Sequence, residues 1–416
     1  MHHFIFPTQD TWISSGSSIE TGLSLKDKNF GQDEILELKK EFDTNIFEYQ
    51  TRVLINFAGT DFNNLKSQVD DGTIPSTAKY YLRLYEAEGN KELSTDYDLV
   101  AFPLHQAWEE GSGKFEDNPK SEIGTSWENR LSEVGMTSLS WSLKDAAIDA
   151  QIPGDEDVNG IEFNEYHTLF SNADQIFSDV TGSYLAGHEG GGVWIQKRGF
   201  ASSQSFSSQS PDVDMDVTDM VNKWINEEIS NYGVLLRFSG SQETDETTFG
   251  HLKFFSRQSP TIYSPRLEVR WNDHIQDTGS LTQLTMSGLA DNYLEIRNLK
   301  NNYRKDEKVK FRINARKRYI DKSIRTEKET TTSVVNSYIP AGKSFYAIKD
   351  VATDEFIVPF SSYTSMSCDE ESPYFIQWLD GFHEDRTYKI LLKLKYTDGQ
   401  EQVFDDDFKF VIREGI

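Results

Sequence analysis

Cysteine is almost missing from this 416-residue chain. Cys368 stands alone, so no intrachain disulfide can form, and a secreted, disulfide-stapled adhesin is disfavoured. Long hydrophobic runs are missing too. None approaches the roughly 20 apolar residues that span a bilayer, and the opening Met1-His2-His3-Phe4-Ile5-Phe6-Pro7 lacks the basic and apolar regions of a signal peptide. Positive charge is short: 42 Lys and Arg face 68 Asp and Glu, a net of −26. The deficit is uneven. From Asp277 onward there are 21 basic and 23 acidic residues, a net of −2, which leaves −24 for the residues before it. So acidic a region repels nucleic acid and anionic lipid, and neither a nucleic acid nor a membrane is expected as a partner. Catalytic signatures are lacking as well. The eight histidines form no His-x-x-x-His or His-Glu-x-x-His pair, and neither Gly-x-Ser-x-Gly nor a phosphate loop occurs.

What is present is aromatic and alternating. Apolar content is only 37%, yet aromatics reach 13%, which suits thin, half-solvated β-sandwiches. Short runs at 52–57, 79–85, 99–102, 193–196, 234–238, 252–256 and 266–271 are each bounded by Gly, Asp, Asn, Ser or Pro, the pattern of antiparallel strands. Against that background Val217, Met220, Val221, Trp224 and Ile225 recur at spacings of three and four and predict one short amphipathic helix. Asp216 stands as its N-cap, Asp219 suits its positive end, and Trp224 belongs to the core. A long polar section, 109–209, is too long for a simple loop. It contains a helical-looking piece at 140–148 and a Gly-rich segment at 187–192 that reads as a turn. The charge change at 273–279 marks a division into domains 1–274 and 275–416. The second shows six short strands, at 308–315, 344–349, 356–360, 374–379, 387–396 and 408–413, and suggests an immunoglobulin-like β-sandwich without the Cys…Trp…Cys pattern.

Ten pieces in order carry a family resemblance. They are Asp10-Thr11-Trp12-Ile13, Asn29-Phe30-Gly31, residues 52–57, residues 78–85, Trp108-Glu109-Glu110-Gly111-Ser112, residues 125–130, residues 216–224, residues 231–237, Phe254-Phe255-Ser256-Arg257 and residues 264–269. Together the first domain resembles the DNRLRE-type β-sandwich, a jelly-roll-like module also classed among carbohydrate-binding modules. The chain departs from that pattern in a longer middle insertion, about 132–200. The resemblance implies an all-β fold with polysaccharide binding as the usual role. Residues 346–350 and 388–393 resemble β-domains of bacteriophage structural proteins.

Three sites merit weighing. Asp155, Asp157 and Asn159 alternate oxygen donors ahead of Gly160, as a calcium loop requires, although Tyr166 falls where a bidentate Glu belongs. A solvated acidic turn is the plainer reading, and calcium is the one cofactor the sequence suggests. Trp127 and Trp194, with Trp108 and Tyr232, could stack on a sugar ring, whereas most Trp in a sandwich are packing residues. The basic stretch 304–325, with Arg316-Lys317-Arg318, could touch nucleic acid, yet it alternates with Phe311, Ile313 and Tyr319 as a strand face does, and an acidic neighbour such as another copy's first domain suits it at least as well. With no catalytic or cofactor-binding set, the expectation is a non-enzymatic bacteriophage virion protein. It would fold in host cytoplasm without export, with other virion proteins and copies of itself as partners. A multimeric tail, neck or collar component leads, ahead of a capsid decoration protein. A carbohydrate-binding module or host-surface adhesin, with a glycan partner, is the alternative, and a polysaccharide-degrading enzyme trails.

Overall fold

The computed structural model describes the chain apart from residues 18–21, 23, 43–47, 89–95, 142–184, 189, 196–199, 208–211, 244–248, 288–290, 320–335 and 415–416. Among the described residues its architecture is all-β sandwich, most of its strand pairs antiparallel, as the alternation predicts. The chain divides into two compact bodies, one of residues 5–268 and one that joins residues 1–4 to 269–416; the sequence reading divided it at 274. No helix among the described residues is long and apolar enough to cross a membrane.

The strands of the first body include β1 (Gln9–Ser14), β2 (Ile35–Phe42), β3 (Glu48–Asn56), β4 (Lys79–Leu84), β5 (Glu86–Glu88), β6 (Asp96–Pro103), β7 (Gly190–Ile195), β8 (Ser202–Ser207), β9 (Val213–Asp216), β10 (Val234–Phe238), β11 (Gly250–Phe255) and β12 (Arg266–Arg270), whose last two residues belong to the second body. The large sheet runs β8-β6-β10-β3-β2-β11-β5, and β1 also pairs with β3. β3 thus changes partners along its length, meeting β2 at 48–50, β1 at 51–56 and β10 at 53–55, which curls the sheet. A smaller sheet places β4 between β12 and β9. All five residues of β10 are buried, so both its faces are covered.

Two α-helices are described, where the periodicity gave one. α2 (Thr218–Ile225) is that helix, with Met220, Val221, Trp224 and Ile225 buried. Its cap position is Val217 rather than Asp216; the Asp216 carboxylate instead accepts the Thr218 N–H at 2.9 Å. α1 (Thr60–Asp70) buries only Phe62 and Leu65, with Val69 half-buried and the other positions polar, a thin stripe that the sequence reading did not pick out. It docks through Phe62, whose ring meets Trp224 edge-on at 6.1 Å. Gly72, at φ +78°, follows it in the left-handed conformation usual after a helix end.

The second body contains β13 (Asn292–Ile296), β14 (Asn302–Arg304), β15 (Lys308–Lys317), β16 (Ser344–Asp350), β17 (Phe356–Val358), β18 (Ser367–Cys368), β19 (Pro373–Trp378), β20 (Thr387–Lys395) and β21 (Glu401–Arg413). One sheet runs β13-β15-β19-β18, the other β14-β21-β20-β16-β17, with β14 parallel to β21. That is the strand order of an immunoglobulin sandwich. Where antibody domains hold a disulfide, this core holds rings. Phe375 stacks on Tyr346 at 4.0 Å and on Phe311 at 5.0 Å, and Phe410 packs near Tyr303, Phe311 and Tyr388. Tyr388, at the start of β20, donates its hydroxyl to the His383 carbonyl and accepts the His383 N–H. This is the tyrosine corner of such sandwiches. Nearby, Asp350 is fully buried and held by Arg386 at 2.6 Å.

Candidate functional site

The two tryptophans named from the sequence do meet, but around a guanidinium. The Arg52 head lies 4.8 Å from the Trp127 ring and 4.9 Å from the Trp194 ring. It is inserted there because residues 52–56 of β3 are buried, so a cation in that apolar run points inward. Arg237, the one charged residue of β10, reaches the same place, 5.1 Å from Trp194 and 5.4 Å from Phe102. Both cations share one anion. Arg52 donates to Glu243 through Nε at 2.8 Å and Nη2 at 3.1 Å, and Arg237 Nη1 donates to the same carboxylate. Burial pushes the Glu243 carboxyl up, but Arg237 and Arg52 outweigh it and hold it below its usual range.

Glycine makes the cluster possible. Arg52 Nη1 also donates to the Gly191 carbonyl, and Gly190, Gly191 and Gly192 all have positive φ. A Cβ on Gly191 would lie 2.6 Å from Arg52 Nη1 and 2.8 Å from Trp127. The Gly-rich segment 187–192 holds the reversal of a hairpin, in which Leu185–His188 pairs with Gly190–Ile195 and His188 stands opposite Gly190. The missing side chains of Gly190 and Gly191 leave room for the indole and the guanidinium.

This arrangement changes the reading of the aromatics. Trp194 is 4% exposed and Trp108 3%, both inside one apolar cluster with Leu54, Phe102 and Leu235, against which Trp127 and Tyr232 pack. A stacking platform must be open to its ligand, so Trp194 is a core residue and the four-ring platform does not form. Trp127 is half-buried, with one face on Arg52. Asp155, Asp157 and Asn159 lie outside the described residues. Among the described residues, no three His, Cys, Asp or Glu side chains gather as metal donors. Cys368 is buried, and burial pushes its thiol up to about 11, with Asp369 and Asp277 adding to the effect.

A second cluster gathers pieces far apart in sequence. Asn29 is fully buried and makes four hydrogen bonds. Its amide donates to the carbonyls of Glu110 and Thr125, each at 2.7 Å, and its oxygen accepts the N–H groups of Gly113 at 2.7 Å and Gly31 at 3.2 Å. Beside it the Glu110 carboxylate accepts the Asp10 N–H at 3.0 Å and the Arg257 guanidinium at 2.9 Å, while the Arg257 N–H donates to Asp10 at 2.6 Å. Trp12 stacks on Phe30 at 3.8 Å and donates to Asp33 at 2.9 Å. Five of the ten resembling pieces, those containing Asp10, Asn29, Glu110, Thr125 and Arg257, are thus tied into one knot. Pattern alone marked each piece but not its partners, because the bonds join residues 81 to 247 positions apart.

Asp10 is the odd member. It is 1% exposed, and its Oδ1 has no hydrogen-bond partner. Burial pushes its carboxyl up to about 7, the Arg257 N–H opposing and the Glu110 charge adding. Burial likewise raises Asp33 to about 6. The folded state therefore holds a proton on Asp10 at a pH where the unfolded chain has lost it. That contribution to stability is complete below about pH 4 and is lost as pH rises toward 7. Asp10→Asn removes the titrating group. Its stability relative to the parent is expected to improve between about pH 4 and pH 7 and to level off above that in urea unfolding, and a difference independent of pH would refute the assignment.

Comparison with protein-family models, with curated proteins and with solved structures gives no match.

Proposed function

We propose that this chain is a non-enzymatic structural component of a bacteriophage particle, a multimeric part of the tail, neck or collar. The second body docks and the acidic sandwich projects. The observation that carries this reading is the separation of charge between the bodies. Residues 5–268 hold 20 of the 42 basic and 44 of the 68 acidic residues, a net of −24, whereas the other body is at −2. An acidic body and a near-neutral one in the same chain suit a part that packs through one and keeps much of the other solvated. Three carboxylates with lowered titration fit it as well. Glu243, Asp350 and Asp369 are held below their usual range by Arg52, Arg237, Arg386, Arg312 and Lys310. Those carboxylates are spent on holding strands together.

The experiment is mass spectrometry of purified particles. A fixed, repeated copy number is expected, and particles free of the chain would reject the proposal. The alternative, a glycan-binding module, rests on Trp127, which is only half-buried. Glycan-array binding lost on Trp127→Ala in a folded protein would favour it.

A further inference from the structure

We propose that the outward face of the β13-β15-β19-β18 sheet docks the acidic sandwich body of a second copy of this chain. The inference rests on the structural-component reading and names one of its partners.

The face is built by β15. Its odd positions Phe311, Ile313 and Ala315 are buried, so positions 308, 310, 312, 314 and 316 point outward, and four of these five are cations: Lys308, Lys310, Arg312 and Arg316. Over eight residues the ladder spans roughly 26 Å. The surrounding chain has the same sign. Residues 297–318 carry ten Lys and Arg against two Asp and Glu, of which Arg297, Lys305 and Arg318 pair with Glu371, Glu384 and Asp291.

The ladder is held ready. Its middle is tied down: Lys310 and Arg312 pair with Asp369 at 2.6 and 3.0 Å, and Arg312 also reaches Glu371. Its two ends have no carboxylate among the described residues. Lys308 instead lies 4.7 Å from the Trp378 ring, and Arg316 lies 4.6 Å from Tyr293. A ring fixes the position of a cation without neutralising it, so the charge stays available to a partner and little side-chain order is lost on binding. The surface that complements it is the body at −24. A cation ladder on one body and an acidic surface on the other make a head-to-tail contact between copies. Such a contact builds rings when its rotation closes and filaments when it does not. Nucleic acid would also answer to positive charge, but the −24 body carried on the same chain disfavours it.

The test uses the full chain in sedimentation velocity over a concentration series, at about 50 mM salt and at about 500 mM, where the Debye length falls to about 4 Å. The expected result is concentration-dependent association at low salt that high salt abolishes. Lys308→Glu with Arg316→Glu should leave a monomer across the range where the parent associates. Lys409→Glu, on the opposite sheet, should associate as the parent does. Circular dichroism of each variant checks that it is folded. A parent chain monomeric at low salt would overturn the proposal, as would equal association of the double variant. Compaction independent of concentration would overturn it too, because docking would then lie within one chain. So would binding of a random DNA oligomer that displaces association. A chain present in particles but monomeric in solution removes this surface and leaves the structural reading standing. Salt-sensitive oligomers with no chain in particles do the reverse.

Discussion

Glu243→Gln should destabilise the acidic body by about 3–5 kcal/mol, the cost of leaving buried cations without their anion. Arg52 and Arg237 both depend on that one carboxylate, and the side chains of all three are at most 7% exposed. In the parent the charge is balanced only in part, two guanidiniums against one carboxylate, and the rings of Trp127, Trp194 and Phe102 hold the cations in place without cancelling the excess. Removing the anion leaves two like charges in a low-dielectric site that the indoles cannot satisfy. For a body of this size each kcal/mol is worth roughly 2–4 °C, so differential scanning calorimetry should show its melting fall by about 6–20 °C. Replacing Arg52, Arg237 and Glu243 together by apolar residues of similar volume should recover most of the loss, since an apolar core has no charge to leave unpaired. A Glu243→Gln protein that melts with the parent would show that the triad is not closed as described.

Asn29→Ala is expected to cost about as much, on the order of 3–5 kcal/mol, by a different route. The substitution leaves two carbonyls, those of Glu110 and Thr125, and two N–H groups, those of Gly31 and Gly113, without the side chain that satisfies them. Water has little room to replace it, because glycines crowd the site. A Cβ on Gly111 would lie 2.2 Å from the Ile123 carbonyl, and one on Gly124 would lie 2.3 Å from Gly111 Cα. Gly111→Ala, at φ +84°, should therefore reproduce the defect from the other side of the knot. Asn29→Asp should not rescue it, since a carboxylate keeps the acceptor but turns an oxygen toward two carbonyls. Urea unfolding with an unshifted midpoint in both Asn29→Ala and Gly111→Ala would contradict this account of the knot.

These two clusters show where sequence reading succeeds and where it stops. Alternation and turn residues gave the sandwich class, the immunoglobulin-like second body and the helix at 218–225, because each is written in spacings of a few residues. α1 was missed because Phe62 and Leu65 gain their burial from tertiary contacts, Trp224 among them. Trp127 and Trp194 were correctly brought together but given the wrong exposure. What decides it is Arg52, a residue from another strand, and the sequence does carry a sign of it. A single Arg in the otherwise apolar Val234–Phe238, like Arg52 at the head of an apolar run, must find an anion once the strand is covered on both faces. Glu243 lies only six residues beyond Arg237. The Asn29 knot had no such local sign. Asn-Phe-Gly and Glu-Glu-Gly look like ordinary turns until the fold lays them side by side.

Both clusters place charged and polar groups inside strands and knots, and the role proposed for the chain rests on the surfaces of its two bodies. Electron cryo-microscopy of purified particles tests that role most directly. The expected result is density for the chain in repeated, symmetry-related copies at the tail, neck or collar, with the immunoglobulin-like body inward and the acidic sandwich outward. Complete, infective particles with no density for it would contradict the account.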